Sequence, residues 1–196
     1  MIKSFEFYFD FGSPYTYLAH KQIRKIEQEN SIKVKYMPIL LGELLKATGV
    51  KANFDIPIKG KYMIKDCKLW ADKHNIHFKF NNYFPINSLN LMRCAIVAER
   101  KKNSENFINK IFDSIWSDGL NLNDSITVQT LLKKLKIEAK EFLLEADELK
   151  VKEELRLRTD VAYKKGIFGS PSFLINNKVF WGQDRLEFAV KEAMKN

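Results

Sequence analysis

The sequence predicts an α/β fold in which a large all-helical segment interrupts a small sheet. Strand periodicity is confined to residues 5–36 and to residues beyond 166, and the segment between them has apolar residues at helical spacing. The length and composition of the chain agree with this prediction. With 196 residues and 45% hydrophobic content, the chain is long enough for one core that carries an insertion.

The N-terminal segment is predicted to form a strand, a helix and a second strand. Phe occupies every second position of residues 5–11, which is typical of a strand with one strongly apolar face. Gly12-Ser13-Pro14 ends that strand, and helical spacing then continues to about Glu29. Residues 32–36 alternate apolar side chains with lysines and form the second strand, which stops at Pro38. Such a unit has parallel strands and a right-handed crossover.

The middle of the chain is predicted to be helical because five of its segments follow the helical period. These segments are 63–71, 87–98, 107–116, 128–135 and 147–165. Strand signals then return as a hairpin, with residues 172–175 and 179–181 joined by a turn at Asn176-Asn177. Asp184 is predicted to cap a closing helix.

This order of elements, βαβ, helical insertion and ββα, is that of a thioredoxin-like fold. We therefore predict a thioredoxin-like domain made of residues 1–60 and 160–196, and an inserted helical domain made of residues 61–159. The periodicity predicts the order of the elements and leaves the arrangement of the strands open.

The chain has 33 basic and 24 acidic residues, a net charge of +9, which suits anionic partners. Such partners could be nucleic acid, an acidic membrane surface or small anionic substrates, and a lysine-rich surface without any partner also accounts for this charge. The lysines are scattered and no nucleic-acid motif accompanies them, so no nucleic acid is predicted. No segment reaches the roughly 18 apolar residues that span a bilayer, so no membrane association is predicted. The two cysteines, Cys67 and Cys94, are far apart and form no CxxC pair, which favours a reducing, cytoplasmic setting. Both are predicted to be buried, because they lie on apolar faces of helices.

The histidines give no sign of a metal centre. His20, His74 and His77 lack the carboxylate or thiol pattern that would complete a ligand set, so no metal is predicted.

The junction of the first strand and first helix carries the first chemical motif. Ser13 is a favoured N-cap and Pro14 is favoured at the first helical position, so an ordinary helix start explains both. The same geometry also provides an anion site, because free N–H groups and the helix dipole stabilise a thiolate. Since no cysteine stands here, a thiolate at this position must come from a ligand.

Two later segments carry the other motifs. Gly166-Ile167-Phe168-Gly169-Ser170-Pro171 precedes a predicted strand, where a thioredoxin-like fold has its cis-proline loop. Frequency alone favours a trans bond, since only about one X–Pro bond in twenty is cis. In Phe180-Trp181-Gly182-Gln183-Asp184-Arg185, a helix cap at Asp184 is the simpler explanation when that segment is taken alone.

Taken together, these motifs resemble those of the 2-hydroxychromene-2-carboxylate isomerases and the related kappa-class glutathione transferases, within the DsbA-like thioredoxin superfamily. The resemblance covers nearly the whole chain, in order. The matching stretches are Phe9-Asp10-Phe11-Gly12-Ser13-Pro14-Tyr15, Leu40-Leu41-Gly42 through Lys46-Ala47-Thr48-Gly49, Lys59-Gly60-Lys61-Tyr62-Met63, Phe84-Pro85 with Asn87-Ser88-Leu89, and Gly166 through Arg185. The tail from Trp181 to Arg185 resembles the isomerase branch in particular.

The resemblance implies a homodimer with glutathione as the cofactor. Ser13 would be the catalytic residue and would donate a hydrogen bond to the glutathione sulfur. The implied cofactor-binding residues are Ser13, Lys59 for a carboxylate, Ser170 and Pro171 for the cysteinyl part, and Gln183 and Asp184 for the γ-glutamyl end.

One position departs from the family pattern. Val50 stands after Gly49 where the family usually has Asn, and Asn53 is a nearby candidate to replace it.

The implied activity is a glutathione-dependent cis–trans isomerisation, by reversible thiolate addition to a conjugated aryl pyruvate. Its substrate would be small, anionic and aromatic. Two alternatives stay open: a kappa-like glutathione transferase or peroxidase, and a non-catalytic thioredoxin-like binding protein. A disulfide oxidoreductase is disfavoured because Ser13 and Thr16 stand where two cysteines would be.

Overall fold

The computed structural model describes residues 3–29 and 32–195. The strands of this part of the chain are β1 (Lys3–Phe9), β2 (Ile32–Pro38), β3 (Ser172–Ile175) and β4 (Lys178–Trp181). The α-helices are α1 (Pro14–Glu29), α2 (Leu41–Thr48), α3 (Pro57–Lys73), α4 (Leu89–Arg100), α5 (Ser104–Trp116), α6 (Ser125–Lys134), α7 (Ala139–Asp147), α8 (Leu149–Lys164) and α9 (Leu186–Ala193). Short 3-10 turns cover Asn53–Asp55 and Gln183–Arg185.

The four strands form one mixed sheet in the order β2-β1-β3-β4. β1 pairs with β2 in parallel and with β3 antiparallel, and β3 and β4 form the predicted hairpin. Because β3 runs against β1, its first residue, Ser172, pairs with Tyr8 near the end of β1. The start of α1 and the segment that enters β3 therefore lie at the same edge of the sheet. The predicted order of βαβ, helices and ββα is confirmed.

The apolar core is built on the Phe residues of the first strand. Phe5, Phe7, Phe9 and Phe11 are buried in one cluster that also contains residues from α3 through α8. The Trp116 indole N–H donates to the Phe11 carbonyl over 2.8 Å, which ties α5 to the end of the first strand segment. One continuous cluster thus contains residues from both predicted domains, and the boundaries 1–60, 61–159 and 160–196 stay a prediction.

The structure adds two helices that the periodicity did not predict. α2 has only eight residues and includes Gly42, so it is too short for a clear helical period in the sequence. α7 is separated from α8 by Glu148, whose extended backbone (φ −62°, ψ 145°) stops one helix and begins the next.

The predicted cap at Asp184 is wrong. This residue lies inside the 3-10 turn, α9 begins two residues later, and the α9 N-terminus has no side-chain cap bond. The reason is the turn itself, in which the Arg185 N–H donates to the Gly182 carbonyl over 3.0 Å.

Both cysteines are buried and free, as predicted for Cys67 and Cys94. Burial raises the pKa of each thiol, to about 12 for Cys94. Across residues 3–29 and 32–195, no helix is both long and apolar enough to cross a bilayer. The same residues contain no group of three or more His, Cys, Asp or Glu side chains that could hold a metal ion.

Candidate functional site

Ser13 caps α1 in the way its sequence position predicts. The Thr16 N–H donates to Ser13 Oγ over 3.2 Å, and the Tyr17 N–H donates to the Ser13 carbonyl, also over 3.2 Å. The first turn of the helix contains no acidic residue, so no side chain of that turn offsets the partial positive charge at its head. Ser13 is nearly buried, which strengthens any electrostatic interaction made there.

The second predicted motif lies directly beside Ser13. The Ser170–Pro171 peptide bond is cis, and Ser13 Oγ donates to the Ser170 carbonyl over 3.3 Å. The Ser170 hydroxyl donates to the Tyr8 carbonyl over 3.1 Å. Because the Ser170 hydroxyl proton is used in that bond, the Thr16 hydroxyl is the donor in the 2.9 Å contact between Thr16 Oγ1 and Ser170 Oγ. The positions that would be cysteines in a redox protein are thus hydroxyls bonded to the cis-proline loop.

The third motif, residues 180–185, is hydrogen-bonded to the same loop. The Gly182 N–H donates to the Pro171 carbonyl over 2.9 Å, so Gln183 and Asp184 lie immediately after a residue bound to the cis-proline segment. Gly182 has φ +103°, and a Cβ here would lie 2.5 Å from an Asp184 carboxylate oxygen, so glycine is required. Gln183 is buried, whereas Asp184 is exposed and pairs with Arg185 over 2.7 Å.

Lys59 lies apart from these residues. It stands in the first turn of α3, is exposed, and has no ion-pair partner within the described part of the chain. A hydrogen bond connects its helix to α1, since the Tyr15 hydroxyl donates to Asp66 over 2.8 Å. The structure therefore brings together Ser13, the Ser170–Pro171 loop and the Gln183–Asp184 turn, and it places Lys59 on a neighbouring helix without contact to Ser13.

Val50 and Asn53 are both exposed, on the segment that enters α3. The Ile56 N–H donates to the Asn53 carbonyl, which fixes the 3-10 turn before that helix. A role for Asn53 in place of Val50 stays a prediction.

An exposed aromatic pair covers the other side of the cis-proline loop. The rings of Phe168 and Trp181 have centroids 5.0 Å apart, and both side chains are about half exposed. The indole lies against Gly169, where an added Cβ would be 2.5 Å from the indole nitrogen.

A family model described as a DSBA-like thioredoxin domain matches residues 5–193. The chain belongs to the DsbA-like thioredoxin family. The 2-hydroxychromene-2-carboxylate isomerase of Sphingobium xenophagum is 28% identical over 190 residues, which are 96% of each chain. The glutathione S-transferase kappa 1 of Rattus norvegicus is 26% identical over 196 residues, covering 93% of this chain and 87% of the relative.

A solved structure of 2-hydroxychromene-2-carboxylate isomerase superposes on this DsbA-like chain with a TM-score of 0.88 and 25% identity, covering 98% of this chain and 94% of that one. The resemblance inferred from the motifs is therefore confirmed. So is the predicted DsbA-type thioredoxin-like fold with a helical insertion.

Sequence reasoning missed Asp10, whose carboxyl is buried next to the Ser13 turn of this DsbA-like protein. The signal was present, because a charged residue stands between Phe9 and Phe11 at the end of a strongly apolar strand. The bonds of Thr16 and Tyr8 to Ser170 were also missed. They join residues more than 150 positions apart, which no local pattern reveals.

Proposed function

We propose that the chain is a glutathione-dependent cis–trans isomerase that acts on a small anionic aromatic substrate of the 2-hydroxychromene-2-carboxylate type. One observation carries the proposal. A hydroxyl at the head of α1, on Ser13, lies 3.3 Å from the main chain of Ser170, directly before a cis proline. The relative from Sphingobium xenophagum, which bears the isomerase name and matches 96% of this chain, supports the same conclusion.

The residues around this position suit glutathione. The pairing of β3 begins at Ser172, so the main chain of Ser170 lies outside the ladder of the sheet. The exposed Asp184 carboxylate suits the ligand ammonium group. The Lys59 ammonium, which has no ion-pair partner in the described residues, suits a ligand carboxylate.

Glutathione would supply the thiolate for a reversible addition to the conjugated double bond of an aryl pyruvate, which would permit rotation and involve no net redox change. Ser13 would donate a hydrogen bond to the sulfur anion. A neutral serine hydroxyl is too weak a base to accept the thiol proton, and it is too weak an acid to lose its own proton without an added base. The present bond of Ser13 to the Ser170 carbonyl is long and weak, so turning the hydroxyl toward an anion costs little. The N–H groups at the head of α1 favour the same charge.

A second activity has specific support. The rat relative is named a glutathione S-transferase, and it matches 93% of this chain. A kappa-like transferase would use the same activated sulfur but would join it permanently to an electrophile.

The deciding experiment gives the protein a benzylidenepyruvate together with substoichiometric glutathione. An isomerase brings the whole substrate pool to its cis–trans equilibrium while the glutathione remains, whereas a transferase stops when the glutathione is consumed. If the protein neither retains glutathione nor melts at a higher temperature in its presence, both enzymatic proposals are wrong. The chain would then be a non-catalytic binding protein.

A further inference from the structure

Three segments of the chain converge on the buried side chain of Asp10. The proposed mechanism does not use these contacts. The three segments are the turn at Gly12, the start of α2 at Leu41, and Ser88 just before α4. Each hydrogen-bonds the carboxyl group of Asp10. This residue is only 2% exposed, so its polar atoms depend on protein partners rather than on water.

The contacts satisfy both carboxyl oxygens. The Gly12 N–H donates to Asp10 Oδ1 over 2.8 Å, and the Leu41 N–H donates to Oδ2 over 2.8 Å. The Ser88 hydroxyl is a further hydrogen-bond partner of the same group. Burial raises the pKa of the Asp10 carboxyl, and these three hydrogen bonds lower it. Removing one acceptor oxygen would leave a buried donor unpaired, which is costly.

The same residue also fixes the main chain of the turn. The Ser13 N–H donates to the Asp10 carbonyl over 3.2 Å, so Asp10 holds the turn from its backbone and from its side chain. Gly12 is tightly enclosed, since an added Cβ would lie 3.3 Å from the Ile86 carbonyl and 3.4 Å from Asp10 Oδ1. The place of Ser13 Oγ therefore depends on the Asp10 contacts, although the Asp10 carboxyl has no bond to that oxygen.

We propose that Asp10 is a positioning residue, which holds the Ser13 hydroxyl where it can donate to a ligand sulfur by clamping the turn to α2 and to the start of α4. The inference rests on the proposed function, because it concerns how that hydroxyl is held for glutathione. Asp10 acts through Ser13 and touches neither the cofactor nor the substrate.

A double-mutant cycle tests this role. Asp10→Asn is made in the native protein and in Ser13→Ala, and the pKa of bound glutathione is measured from thiolate absorbance against pH. Loss of a buried negative charge would shift the thiol pKa equally in both backgrounds. A misplaced Ser13 hydroxyl, in contrast, would shift the thiol pKa only in the background that still has that hydroxyl. We expect the Asp10→Asn shift to be more positive in the native background by about one pH unit, a large part of one charge-assisted hydrogen bond.

Glu27→Gln is the matched control. Like Asp10, Glu27 is a carboxylate that accepts a main-chain N–H, from Val34 over 3.1 Å, although it is only partly buried and pairs with Arg24. It stands near the other end of α1, about 20 Å along the helix. It should leave the bound thiol pKa unchanged in both backgrounds. If Asp10→Asn does not fold, Ser88→Ala, which removes one partner and keeps the carboxyl, is taken through the same cycle with a smaller shift of the same sign.

The outcomes separate the two proposals. Equal shifts in the two backgrounds overturn the positioning role and leave the proposed function standing. If the native protein holds no glutathione thiolate at all, the proposed function is wrong and this inference falls with it.

Discussion

The Ser13 hydroxyl accepts one hydrogen bond from the Thr16 N–H at 3.2 Å and donates another to the Ser170 carbonyl at 3.3 Å. The first distance is at the long end of the usual range for an N–H···O bond, and the second is longer than a usual O–H···O bond, so the oxygen is oriented without being strongly engaged. In the proposed mechanism, the glutathione sulfur takes over the donated bond. The serine can stabilise an anion but cannot itself form a disulfide, which separates this site from redox members of the fold.

Ser13→Ala should raise the pKa of bound glutathione by about one to two pH units, because a hydrogen bond to a charged group is worth about 1.5–3 kcal/mol. Turnover at neutral pH should fall accordingly. Titration of the thiolate absorbance of the complex measures the shift. Ser104→Ala, at the start of α5, changes the same atoms at another helix N-terminus and should leave the pKa unaltered. An unchanged pKa in Ser13→Ala would remove this hydroxyl from the mechanism.

Among the elements, the cis-proline loop is held from both sides. On one side the Thr16 hydroxyl of α1 contacts Ser170, and on the other the indole of Trp181 covers Gly169. The loop thus depends on close contact with β4 as well as with α1.

Gly169→Ala should lower the free energy of unfolding by about 1–3 kcal/mol, because its Cβ would lie 2.5 Å from the indole nitrogen and force Trp181 to move. Gly42→Ala is the control. A Cβ there meets nothing within 4 Å, and the change should be neutral or stabilising by up to about 1 kcal/mol. Denaturant unfolding measures both variants. In a Trp181→Ala background the cost of Gly169→Ala should largely disappear, and its persistence would contradict this account.

The elements also show how far the sequence could predict the structure. α1 was predicted because Ser13 and Pro14 mark its start and a strong apolar stripe follows. α2 was missed because its eight residues are too few to establish a helical period and they include Gly42. At the site, the Ser13 and Ser170 motifs were recognised from local sequence. The role of Asp10 was not, because its bond to Leu41 joins residues 31 positions apart and depends on how β2 leads into α2.

On the scale of the whole molecule, a buried histidine links stability to pH. Burial lowers the pKa of His20 well below its ordinary value, and the nearby charges of Arg24 and Lys21 lower it further. In the unfolded chain the same imidazole binds a proton below about pH 6.5. The unfolded state therefore binds more protons as the pH falls through that value, and folding stability decreases toward acid.

His20→Gln should flatten this dependence, removing up to about 1.4 kcal/mol per pH unit from the slope of stability below pH 6.5. Unfolding curves between about pH 5 and 8 give the slope. His74→Gln should change it less, since His74 is only half-buried. A slope that stays the same in His20→Gln would show that another group titrates.

Both sulfur atoms of the cysteines lie inside the protein, Cys67 on α3 and Cys94 on α4. Burial also keeps these thiols protonated, and a protonated thiol does not attack a disulfide. Mixed disulfides with small molecules therefore need local opening of a helix before they can form. The two cysteines of the folded protein should therefore remain free thiols even when the thiol–disulfide balance of the surroundings changes.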